Sequence, residues 1–149
     1  MDIRMLTQAT IDELFSWAVG SDPFEICGLL FSRNRYIITA NRSANPTHDF
    51  LISHGDYIDA CLLMGEKPWA LVHSHPTKGA RPSVKDCQLM DDLEACGQDL
   101  TMIIVGLDPR EIRAYKKKQH VYECIMEYVP GRLHFEISTL ENRVNFIQE

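Results

Sequence analysis

An α/β or α+β fold built around a mixed sheet is the class this sequence predicts. Short apolar runs bounded by turn residues recur between Glu25 and Glu127, and runs of that kind read as strands. Stretches with apolar residues at helical spacing lie between them. The length, 149 residues, is near the modal size of one domain and allows one sizeable core. Strands mixed with three or four helices in one small domain indicate helices packed on a mixed sheet.

The elements follow in order. Thr7 to Val19 carries Ile11, Leu14, Phe15 and Ala18 at helical spacing and is stopped by Gly20-Ser21-Asp22-Pro23. Glu25 to Phe31 predicts a strand, with Arg35 to Ala40 as its hairpin partner across Ser32-Arg33-Asn34. Asn41 to Asp49 is polar, contains Asn45-Pro46 and predicts a loop. Phe50 to Ser53 predicts a short strand. Asp56 to Met64 predicts a helix ending at Gly65. Trp69 to His75 is an apolar run expected at the sheet centre, and Thr77 to Pro82 a loop. Ser83 to Cys96 predicts a helix closed by Gly97. Leu100 to Gly106, Ile112 to Lys116 and His120 to Glu127 predict three further strands. Leu133 to Ile137 reads as a strand and Leu140 to Ile147 as a short helix.

Composition excludes several functional classes. Hydrophobic content of 45% and charged content of 24% are those of an ordinary soluble protein. A net charge of −6 argues against a general nucleic-acid or anionic-membrane binder. Lys116-Lys117-Lys118 is a short basic run and reads as a solvated strand end. No stretch approaches the ~18 consecutive apolar residues of a membrane span, and the N-terminus has no signal-peptide pattern. Cys27, Cys61, Cys87, Cys96 and Cys124 are odd in number and form no C-x-x-C. They fit reduced thiols in a cytoplasmic protein.

The chemistry concentrates in His73-Ser74-His75 and Asp86. Alternate residues of a strand share a face, so both imidazoles point to one side and Ser74 to the other. Pro76 cannot continue a central strand, which puts the pair at the strand's end. Asp86 falls at N3 of the next helix, with Ser83 at N-cap. Capping and metal ligation compete for the Asp86 carboxylate. Two imidazoles and a carboxylate suit a zinc ion that keeps one position open. Water held there has its pKa lowered to about 7, the basis of metal-assisted hydrolysis. Such a hydrolase needs a general base. Glu25 is the candidate, because a carboxylate heading an apolar strand is costly to bury without a partner or a task. A structural zinc site would require a fourth protein ligand, for which Cys87 is the nearest thiol. His48, His54, His120 and His134 read as ordinary polar groups.

His73-Ser74-His75-Pro76, seven residues to Ser83, two more to Asp86, and Glu25 upstream resemble the motif of the JAMM (MPN-plus, JAB) zinc metalloprotease family. Glu25-Ile26-Cys27-Gly28-Leu29-Leu30 resembles that family's first core strand, and the similarity covers Thr7 to about Val129. The resemblance implies a JAB/MPN fold over 1–149, a cytidine-deaminase-like curved mixed sheet flanked by helices. It implies one zinc ion (Zn2+) held by His73, His75 and Asp86, with Glu25 as general acid/base and Ser83 as donor to the oxyanion. It implies hydrolysis of a peptide or isopeptide bond in a protein substrate, a ubiquitin-like or a phage tail protein. Asn45-Pro46, Phe50-Leu51-Ile52-Ser53, Asp56-Tyr57, Gly65-Glu66 and Trp69 to Pro76 are similar to the N-terminal domain of phage tail-assembly peptidases. Those commonly carry a second, NlpC/P60-type domain, for which this chain has no room. The alternative is a non-catalytic MPN-like module that serves phage tail assembly.

Overall fold

The computed structural model describes residues 6–131, 135–136 and 143–144. Helix α1 (Gln8–Ser21) leads into β1 (Cys27–Leu30) and its hairpin partner β2 (Tyr36–Thr39). Helix α2 (His54–Met64) is followed by β3 (Ala70–His75), α3 (Val84–Ala95) and β4 (Thr101–Leu107). The strands β5 (Arg110–Lys118), β6 (Val121–Tyr128), β7 (Phe135–Glu136) and β8 (Arg143–Val144) complete the described elements. One sheet runs β2-β1-β3-β4-β5-β6-β7, with β8 also paired to β6. Only β3 and β4 are parallel among the described pairs, joined through α3, so the sheet is mixed as expected.

The helices start where the sequence offers caps. Thr7, Ser53 and Ser83 each accept a backbone N–H three residues on, the N-cap geometry that satisfies an orphan donor. Gly65 closes α2 at φ 72°, a left-handed conformation that suits glycine. The sheet separates two cores. On one face Ile11, Leu14 and Ala18 of α1 lie against Val72, Ile103 and Val105. On the other, Leu29, Leu71, Met102 and Ile104 meet Ala60 of α2 and Met90 of α3. This second face carries His73 and His75, because they follow Leu71 in steps of two.

Three expectations need correction. Phe50 to Ser53 is not a strand: Ser53 caps α2, and the side chain of Asn41 takes the place of a ladder partner. Asn41 Oδ1 accepts from Leu51 N at 3.1 Å, and its Nδ2 donates to the Asp49 carbonyl at 3.0 Å. With the Leu51 carbonyl accepting from Arg42 N at 2.8 Å, the segment's polar groups are met without a ladder. Within the range expected to be helical near the C-terminus, Arg143–Val144 pairs with β6 as strand. Residues 140–142 and 145–147 of that range lie outside the described residues. The triple-lysine run ends β5 as expected, but it is paired: Lys117 Nζ lies 2.9 Å from Asp91 and 3.0 Å from Glu94 on α3. Asp91 and Glu94 therefore brace helix to sheet.

Candidate metal centre

The two histidines sit at the carboxyl end of β3, beside its parallel neighbour β4. That is where ligands collect in sheets of this kind. His73, His75 and Asp86 are all buried, with 0%, 2% and 4% exposure. Asp86 Oδ1 lies 3.1 Å from His73 Nε2, and Asp86 Oδ2 lies 3.0 Å from His75 Nε2. One potential ligand atom from each of the three lies within 4.8 Å of the others.

Local sequence explains the convergence. Ser74, between the histidines, faces the opposite side. Its Oγ accepts from Ile26 N at 2.8 Å, and its own N–H donates to the Ile26 carbonyl at 3.1 Å. This pair of bonds extends the β1–β3 pairing and fixes the residue next to Glu25. Glu25 is further held by its N–H to the Pro46 carbonyl and by Asn41 Nδ2 to its carbonyl. Its carboxylate is 7% exposed and lies 3.4 Å from His73 Nδ1. Phe50 stacks on the His73 ring at 4.3 Å between centroids. His75 Nδ1 meets the Gly79 carbonyl at 2.9 Å, which assigns Nδ1 as an N–H. Nε2 faces Asp86 Oδ2, sharing a hydrogen with it in the metal-free protein and offering its lone pair when a metal takes that hydrogen's place.

The expected competition between capping and ligation does not arise. Ser83 Oγ accepts from Asp86 N at 3.1 Å, while Asp86 Oδ2 accepts from Ser83 N at 2.9 Å. A carboxylate has about four acceptor positions on two oxygens, so the cap consumes one and turns the rest toward the imidazoles. Ser83 Oγ accepts in this cap, which leaves its O–H free to donate.

The residues fit a divalent cation. Tetrahedral zinc with ligands at about 2.0–2.1 Å places those ligands roughly 3.4 Å apart; each histidine lies 3.0–3.1 Å from one Asp86 oxygen, and one donor from each of the three lies within 4.8 Å of the others. Both ring nitrogens of buried His73 lack a hydrogen bond of good geometry; a metal bond explains this for Nε2, which faces Asp86. Burial alone would push the His73 pKa down, but Asp86 and Glu25 outweigh it and raise it to about 10. Burial likewise opposes ionisation of Asp86, yet the two histidines hold its pKa well below the usual carboxylate range. The pocket calls for positive charge, which a metal ion supplies without a proton. Cys87 is buried in the apolar cluster under α3 and is not in the ligand group found among the described residues.

A family model described as prokaryotic homologs of the JAB domain matches residues 7–125. The chain belongs to this JAB-domain family. It is also 35% identical over 88 residues to "Tail tip assembly protein K" of Escherichia phage N15, a match over 54% of this chain and 34% of that protein. The chain therefore spans about a third of the length of that relative. The solution structure of protein DSY2949 from Desulfitobacterium hafniense superposes with a TM-score of 0.58 at 26% identity, covering 75% of this chain and 84% of that one. Among the described residues no helix is long and apolar enough to cross a membrane.

All five residues singled out in the sequence gather around this JAB-domain centre. Sequence reasoning missed Asn41, Phe50 and Gly79. Phe50 and Gly79 stand beside ligands only through tertiary contact, and Asn41 acts through backbone bonds that no motif announces. An apolar groove of about 500 Å³ opens beside Asp86 on the same face of the sheet. Leu29 and Leu71 form its floor, with Phe50, Leu51, Leu89 and Leu93 along its sides.

Proposed function

We propose that this single domain is a zinc-dependent peptidase or isopeptidase. The observation that carries the reading is three buried side chains arranged to hold one cation, with a second carboxylate, Glu25, beside His73. A bound zinc ion supplies Lewis-acid chemistry and a water of lowered pKa. The Glu25 carboxylate takes a proton from the attacking water and returns it to the leaving amine. One of its oxygens faces His73, and the other is free for that task. The Ser83 hydroxyl, already aligned by its cap bond, donates to the oxygen on which charge develops.

The substrate is a protein or peptide, with a ubiquitin-like protein and a phage tail protein as the candidate classes. An apolar residue next to the scissile bond enters the groove over Leu29 and Leu71. Leu51 is 54% exposed on the groove's rim, so Leu51→Asp leaves the core intact. It is expected to lower kcat/KM on apolar peptides about five- to thirty-fold, for about 1–2 kcal/mol of lost contact. Steady-state kinetics on peptides with Leu or Asp at that position checks this, and equal loss on both contradicts the groove assignment.

The similarity to a tail tip assembly protein favours a second reading, a module that serves assembly without catalysis. An open three-ligand site is the catalytic pattern and supports the peptidase. Tail assembly by a His75→Ala variant that still folds favours the module.

A further inference from the structure

We infer that Glu111 is a positioning residue for the metal centre, acting on His75 through a single peptide group. This inference rests on the reading of His75 as a metal ligand.

His75, Gly106 and Glu111 occupy one row across three strands. His75 pairs with Gly106 in the β3–β4 register, and Gly106 pairs with Glu111 in the β4–β5 register. Registered partners project to the same face, so the two side chains flank a position that has none. The peptide group joining Gly79 to Ala80 fills that gap. Its carbonyl, on Gly79, accepts from His75 Nδ1 at 2.9 Å. Its N–H, on Ala80, donates to Glu111 Oε2 at 2.8 Å. One planar amide thus links the histidine to a buried carboxylate that is 7% exposed.

Both glycines are explained by this arrangement. A Cβ on Gly106 would collide with the backbone of Gly79 and Ala80, coming within 2.5 Å of Ala80 N. A Cβ on Gly79 would come within 2.5 Å of Glu111 Oε2. Real Cβ atoms do not approach so closely, so the row has been cleared for this peptide and this carboxylate. The loop is pinned from its other side, where the Lys78 carbonyl accepts from Leu107 N and Asp108 N. The second oxygen of Glu111 lies 3.2 Å from Arg113, which also pairs with Glu127 at 2.9 Å.

The consequence is electrostatic as well as geometric. A carboxylate accepting from the amide N–H polarises the peptide and strengthens its carbonyl as an acceptor. That acceptor fixes the His75 tautomer, with the proton on Nδ1 and the lone pair on Nε2, and raises the ligand's basicity. His75 then has a carboxylate, Glu111, one peptide away.

The test is metal affinity in the full chain, measured by chelator competition with zinc, together with the visible spectrum of the cobalt-loaded protein. E111Q is expected to weaken zinc binding about 10- to 100-fold and to alter the cobalt bands. E127Q, which disturbs the same Arg113 pair without touching Ala80, is expected to leave both unchanged. Should E111Q fail to fold, E111D decides. It keeps the charge but withdraws the carboxylate by one methylene, and weakened binding is again expected. Wild-type affinity and spectrum in E111Q, or in E111D if only that folds, overturn the inference alone. Equal losses in E127Q also overturn it, since the effect would then follow stability. A wild-type chain that binds no metal removes this inference together with the functional reading on which it rests.

Discussion

Glu25→Gln is expected to lower kcat by about 10²–10⁴-fold on a peptide or isopeptide substrate while leaving zinc content at one per chain. The substitution keeps the shape of the side chain and its place beneath the Asn41 and Pro46 contacts, which engage the backbone and not the carboxylate. What it removes is a group that can accept a proton near neutral pH. The 3.4 Å approach of Glu25 to His73 Nδ1 makes the metal measurement as informative as the kinetic one. Had the carboxylate served chiefly to orient His73, the variant would lose about 10- to 100-fold in metal affinity, and its activity would return at high zinc. Activity that stays lost at saturating zinc identifies Glu25 as the proton carrier.

His75→Ala is expected to abolish stoichiometric zinc binding and activity together. Two donors remain, His73 and Asp86, and a pair of ligands does not hold zinc against solvent as three do. The variant also leaves Asp86 Oδ2 with the Ser83 N–H as its remaining partner where it had two. Losing a hydrogen bond to a buried carboxylate costs about 1–3 kcal/mol in the metal-free protein. Thermal unfolding separates the two effects. Zinc raises the Tm of the wild-type chain by mass action, because a ligand bound only by the folded state stabilises it. The Tm of His75→Ala starts lower and does not move with zinc. A variant that still responds to zinc like the wild type would place the metal elsewhere.

Much of this centre was legible because its residues lie at short, regular intervals. The step of two from His73 to His75 put both rings on one strand face, and Ser83 followed by Asp86 marked a helix start. Burial of Glu25 was foreshadowed by its place at the head of an apolar run. The illegible parts are those made by tertiary contact. The Asn41 side chain serves 49–51 beside a single backbone bond from Arg42 N to the Leu51 carbonyl, so a sequence with strand-like composition forms no ladder. Glu111 is a charged residue in a strand whose exposed neighbours are also charged, and nothing local distinguishes it from a solvated position. Its role depends on the register of β3, β4 and β5 and on a loop that returns between them. The spacing sets capping and ligation in competition for Asp86; in the fold its two oxygens accept the Ser83 cap bond and face both imidazoles together, a geometry that spacing does not reveal.

X-ray absorption on the zinc-loaded chain tests the central claim most directly. Two imidazole nitrogens and a carboxylate oxygen at about 2.0–2.1 Å, with one further exchangeable oxygen and no sulfur, are the predicted shell. Sulfur scattering at about 2.3 Å, four non-exchangeable protein donors, or a chain that retains no stoichiometric metal would contradict the account.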